Sequence, residues 1–220
     1  MKRTPVVAGV SDHNGWAIFV CIAAGDGAPA VIDRRRVELV DRGLPNQPYE
    51  HDTLNLSAAA AEELVREIRE SAAHCAERAL SRLRSGMGAA QELVSIALRT
   101  APLPRLPSTV AEAHASRPVT MRADAMLYHD ALCGSASWLG IGVTMFDRGQ
   151  EVPRAAEALG ATTAEVEQFL AGLRVTLGPP WRQDHRAAAA RAIAALGKYI
   201  ALRPPKTGRR LPHAKISVAT

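Results

Sequence analysis

The residues of this 220-residue sequence that could do chemistry are mostly acids, histidines and arginines. An acid with a histidine beside it occurs twice. Asp12-His13 sits in the turn-forming stretch Ser11-Asp12-His13-Asn14-Gly15, and Asp184-His185 follows Trp181-Arg182-Gln183. A third acid, Asp147, follows the apolar run Ile141–Phe146. Carboxylate oxygens suit hard divalent cations, and a histidine beside a metal centre can act as ligand or proton shuttle. Each acid also has a plainer reading. Asp12 and Asp147 are turn acids that bond their own backbone, and Asp184 complements a helix dipole. Tyr49-Glu50-His51-Asp52 gathers titratable groups in one loop. Arg34-Arg35-Arg36 could contact phosphates, or could keep a sheet edge from aggregating. His129-Asp130 reads as a solvated helix face.

Several common signatures are absent. There is no GxxxxGK[ST] loop, no GxGxxG after the first apolar run, no HExxH and no GxSxG. Nucleotide kinases, dinucleotide oxidoreductases, zincins and nucleophile-elbow hydrolases are thereby disfavoured.

Hydrophobic residues make up 47% of the chain and aromatics only 4%, so a real core exists and aliphatic side chains and alanine must fill it. Three widely spaced cysteines, Cys21, Cys75 and Cys133, argue against a disulfide framework and for a reducing, cytoplasmic setting. Polar residues interrupt the first apolar stretch, as a secretory leader would not allow, and no apolar run is long enough to span a bilayer. The net charge of +5 is unevenly placed. From Trp181 onward nine Lys and Arg face the single acid Asp184, a balance that suits a polyanion partner or a solvated tail.

The elements that must position these residues follow from the hydrophobic pattern. Val6–Val10, Trp16–Ile22 and Ala30–Val40, separated by turn formers, predict a three-strand antiparallel meander. Ser57 caps a helix reaching about Arg84, and Leu93–Leu98 is a strand. A capping box at Thr109–Glu112 opens a short helix, and a longer helix spans about Met121–Leu139. Ile141–Phe146 is a strand. A helix from the Thr162–Glu165 capping box to Leu177 precedes an Ala-rich helix over Asp184–Leu202. Residues 1–202 read as one α/β domain, and residues 203–220 as a loose basic tail. Helices between the later strands make them crossovers, so these strands should lie parallel to the first in a mixed sheet.

A meander followed by helix–strand–helix–strand–helix resembles the ribonuclease H-like fold. The opening Val7-Ala8-Gly9-Val10-Ser11-Asp12 with Gly15-Trp16-Ala17 is similar to the first hairpin of its Holliday-junction-resolvase branch. Trp181-Arg182-Gln183-Asp184, leading into Ala187–Ala190, is similar to that branch's closing helix. The resemblance implies metal-assisted phosphodiester cleavage by two Mg²⁺ or Mn²⁺ ions. Carried over residue by residue, it makes Asp12 and Asp184 metal ligands, with Asp147 as a third and His185 assisting catalysis. Arg182, Arg186, Lys206, Arg209 and Arg210 would meet phosphates. The family places an acid after the fourth strand, where this chain has Arg99. Such a protein would act on structured nucleic acid, without a membrane, and could be a homodimer. The other readings are a catalytically inactive nucleic-acid- or ribonucleoprotein-binding module of the same fold, or a protein–protein interaction domain.

Overall fold

The computed structural model describes residues 3–25 and 28–201. The tail expected at residues 203–220 lies outside the described residues, as do Lys206, Arg209 and Arg210.

The meander forms as the sequence predicts. Strands β1 (Thr4–His13), β2 (Trp16–Gly25) and β3 (Ala28–Glu38) pair antiparallel. A two-residue Asn14-Gly15 turn joins β1 to β2, and Gly15 takes the positive φ of 83° that such tight hairpins need. Helix α1 (Ala58–Ser85) then crosses over to β4 (Gln91–Arg99). Helices α2 (Val110–Ala113) and α3 (Arg117–Trp138) cross to β5 (Gly142–Phe146). Both later strands run parallel to their neighbours, and the sheet order is β3-β2-β1-β4-β5. Helices α4 (Glu151–Leu159), α5 (Thr163–Leu177) and α6 (Gln183–Leu196) complete the chain. This strand order, with these directions, is the ribonuclease H-like α/β topology. Among the described residues no helix is long and apolar enough to cross a membrane.

The central strand β1 is covered on both faces, which is why it reads as a nearly continuous apolar run. Val6, Ala8 and Val10 belong to a core built with α1 and α3. Val7 belongs to the opposite core, built with α4, α5 and α6. Helix α6 packs closely enough on β1 that a Cβ at Gly9 would overlap the Ala188 carbonyl oxygen and lie 2.6 Å from its carbon. The alanines that give α6 its helix propensity are also what let it approach the sheet. Ala188, Ala189, Ala192 and Ala195 are all fully buried.

Three local outcomes differ from the sequence reading. Helix α4 was not expected from the sequence. Its Pro153 sits in the first turn, where the missing N–H costs nothing. Helix α6 stops at Leu196, and not at residue 202. The loop after β3, for which the sequence predicts no regular structure, contains one π-type turn, Pro48–Asp52. Asp124 on α3 pins this turn by accepting the backbone N–H groups of Tyr49 (2.9 Å) and Glu50 (3.0 Å). The titratable Tyr49–Asp52 loop is thus held as structure.

Gly9→Ala should destabilise the protein by about 1–3 kcal/mol or more, because the clash is with backbone and cannot be relieved by a rotamer change. Gly134→Ala on α3, where an added Cβ meets nothing within 4 Å, is the control and should stabilise by roughly 0.5–1 kcal/mol. Equal unfolding midpoints for the two variants would rule out the close α6–β1 approach.

Candidate functional site

Strand geometry decides which side chains can meet, because successive residues of β1 face opposite sides of the sheet. Asp12 continues the Val6, Ala8 and Val10 face. Its Oδ2 lies 3.4 Å from Nδ1 of His129 on α3. Ser11 and His13 continue the Val7 and Gly9 face, toward α6. Ser11 Oγ donates to Asp184 Oδ1 at 3.2 Å, and His13 Nε2 approaches the same oxygen at 3.3 Å. Asp12 and Asp184, expected to share a metal, therefore point to opposite faces. The residue that actually meets Asp184 is Ser11.

The Asp12–His129 pair is almost fully enclosed, with side-chain exposures of 8% and 3%. Burial alone would push the Asp12 pKa up. The His129 hydrogen bond and charge outweigh it, with help from Arg99, and the net shift is downward. Burial likewise disfavours charged His129, yet the hydrogen bond to Asp12 and the neighbouring Cys133 raise its pKa to about 9. At neutral pH the pair is a buried carboxylate with an imidazolium. His129 is not on the solvated face that its sequence context suggested.

On the α6 side, the contacts of His13 extend outward. Its ring stacks on Trp16 with centroids 4.0 Å apart and an interplanar angle of 9°. The Arg36 guanidinium lies 4.1 Å from the centre of the Trp16 ring. Deeper in, Arg191 of α6 is 5% exposed and donates from Nη1 to the Val10 carbonyl at 2.7 Å. Its Nη2 lies 3.6 Å from Glu151 Oε1. Burial lowers the Arg191 pKa, while Glu151, Asp12 and Asp184 all oppose that shift. The guanidinium therefore sits within the field of both predicted metal ligands. Arg99, half-buried at the end of β4, is near enough to act on both Asp12 and Arg191. Among the described residues, the buried side-chain atoms without a hydrogen-bond partner are His13 Nε2, His129 Nε2, Glu151 Oε2 and Arg191 Nε. All four belong to these two groups around the end of β1. Such a concentration marks a site, because ordinary cores leave few polar atoms unsatisfied.

These donors do not fit a two-metal centre. Two divalent ions need several carboxylates converging on one side. Here Asp184 faces a neutral hydroxyl, Glu151 is drawn to Arg191 at 3.6 Å, and Arg99 and Arg191 add positive charge nearby. Asp12 is committed to His129. No group of three or more His, Cys, Asp or Glu side chains among the described residues is placed to hold a metal ion.

The remaining predicted residues scatter. Asp147 accepts a 2.7 Å hydrogen bond from Thr100 Oγ1, joining the ends of β5 and β4. His185 is buried. Its Nδ1 accepts the Arg182 N–H at 3.4 Å, so it caps α6. Burial and the charge of Arg34 lower its pKa. Arg182 and Arg186 are exposed at the start of α6. Arg34 is a staple, donating to the carbonyls of Leu177 (2.7 Å), Gly178 (2.9 Å) and Pro180 (2.9 Å) where α5 ends. Sequence reading missed Ser11, His129, Glu151 and Arg191. For Ser11 a signal existed, since it shares its strand face with Gly9, the residue on which the Ala-rich helix packs.

No protein-family model matches the chain, and no curated protein matches it. Among solved structures, the chain is similar to two of RuvC from Thermus thermophilus. The structure in complex with a Holliday junction substrate shows 15% identity over 88% of this chain and 94% of that one, with a TM-score of 0.47. The other, of RuvC, shows 16% identity over the same shares, with a TM-score of 0.48.

The pH dependence of stability tests the buried pair. Below pH 6.5 both folded and unfolded chains carry protonated His129, and the pair contributes in full. As pH rises from 6.5 through about 9, the unfolded chain loses this proton first, and the contribution fades. On the acid side the contribution of Asp12 is present above its ordinary value of 3.8 and is lost as pH falls through its lowered folded pKa. The denaturant midpoint of the wild type should therefore fall relative to His129→Gln across the alkaline window. A difference between the two that is flat with pH would reject the charged pair.

Proposed function

We propose that this protein binds nucleic acid through the strand-end edge of its ribonuclease H-like domain, and that it does so without two-metal cleavage. The observation that carries this reading is the exchange of donors at that edge. The α6-facing residue at the end of β1 is Ser11, while Asp12 is turned to His129. The end of β4 carries Arg99, where the family that the sequence resembles places an acid. A guanidinium cannot ligate a cation, but it holds a phosphate well. Exposed Arg182 and Arg186 at the start of α6 add to the attraction. Lys206, Arg209 and Arg210 are assigned the same role in the tail. Free thiols at Cys21, Cys75 and Cys133 suit a reducing cytoplasm.

The test is a binding titration of the full chain against single-stranded DNA, duplex DNA and a four-way junction, with and without Mn²⁺. The expected outcome is salt-sensitive binding and no product. Arg99→Ala should lower the slope of log affinity against log salt by about one, and Lys206→Ala/Arg209→Ala/Arg210→Ala by roughly two to three. Mn²⁺- or Mg²⁺-dependent cleavage that disappears in Asp184→Asn would overturn the non-cleaving reading. It would restore a metal-dependent nuclease built on Asp12, Asp184 and Asp147.

A further inference from the structure

A second cationic feature lies beyond this edge. It is an open groove between the outer side of β3, with the loop after it, and helix α1. Arg35, Arg36, Arg42, Arg78 and Arg82 line it, and all five are exposed. The acids in its lining are Glu38 and Asp41. Glu38 is engaged by Arg36 at 2.9 Å, and Asp41 by Arg78 at 3.0 Å. Arg42 and Arg82 have no carboxylate within 4 Å among the described residues. Exposed ion pairs of this kind are worth only about 0–1 kcal/mol each, so a phosphate can compete for the paired arginines too.

One end of the groove is aromatic. Trp16 lines it, with the Arg36 guanidinium over its ring and His13 stacked upon it. Trp16, Arg35 and Arg36 also line the smaller depression that contains Arg182 and Asp184. A continuous track of arginines thus runs from Arg42 and Arg82, past Trp16, to the start of α6. A cationic groove interrupted by a stacking platform is the arrangement that holds a flexible strand. It grips the backbone by charge and the bases by their faces. A base and a cation both suit an indole face, so a base can replace Arg36 there and free the guanidinium for phosphate.

We propose that this groove is a binding site for single-stranded nucleic acid, with one base stacked on Trp16 and the backbone held by Arg42 and Arg82. The proposal rests on the nucleic-acid reading above and assigns it a strand path and a ligand form.

The experiment uses the full-length chain and three probes: a labelled oligothymidylate, the corresponding duplex, and heparin as a polyanion without bases. Wild type should prefer the oligothymidylate to the duplex. Arg42→Glu/Arg82→Glu should weaken both oligothymidylate and heparin binding by tenfold or more. Trp16→Leu should weaken oligothymidylate binding about tenfold, leave heparin binding unchanged, and be rescued by Trp16→Phe. Thermal melts of each variant confirm that it is folded. If wild type binds oligothymidylate but Arg42→Glu/Arg82→Glu binds equally well, the groove is overturned while the strand-end reading stands. If Trp16→Leu weakens heparin and oligothymidylate alike, the stacking role is overturned. If wild type binds none of single-stranded, duplex or junction DNA, both this proposal and the reading beneath it fall.

Discussion

Helix α6 rests on β1 at the one residue of that strand without a side chain. Gly9 leaves room for the Ala188 carbonyl, and the surrounding alanines let the two backbones approach. Much else depends on this contact. It sets the depth of α6 and brings Asp184 to the end of β1. It also settles which alternate residues of β1 face the helix. Because a strand alternates strictly, packing at Gly9 puts Ser11 and His13 on the α6 side and turns Asp12 away. The composition of the strand-end edge follows from one close backbone contact several residues distant.

The charges around the end of β1 then arrange themselves as buried charges must, by pairing. Asp12 takes His129 as its partner. Arg191 caps the Val10 carbonyl and leans toward Glu151. An internal cation occupies the field of acids that, in a two-metal enzyme, would be balanced by ions. The fold alone does not decide activity, since one topology can serve catalysis or binding. The binding function proposed above rests on the donor types found here. Exposed arginines of β3, α1 and the start of α6 line the groove and the depression that both border on Trp16.

Much of the fold was legible because its signals are local. The meander announced itself through short apolar runs and turn formers. Helices α1 and α5 announced themselves through Ser57 and the Thr162–Glu165 capping box, both of which cap as read. Helix α4 carried no such signal, since its N-cap position is Gln150, which makes no side-chain cap bond. His129 was misread for a related reason. Its neighbours on α3 include Asp130, and nothing local reveals that Asp12, far back in the chain, comes to meet it. Arg34 looked like part of a surface charge run. It is instead tied to the carbonyls at the end of α5, a contact between segments more than a hundred residues apart.

Residue order was sufficient for the topology, because hydrophobic period, capping and turn chemistry act over a few residues and restrict the crossovers to one handed arrangement. It also revealed the departure at Arg99, since residue identity alone excludes a cation ligand there. Which acid faced which helix was settled only in three dimensions. A shift of one position along a strand reverses the face a side chain presents, and the packing partner that sets this register is supplied by a helix near the other end of the chain.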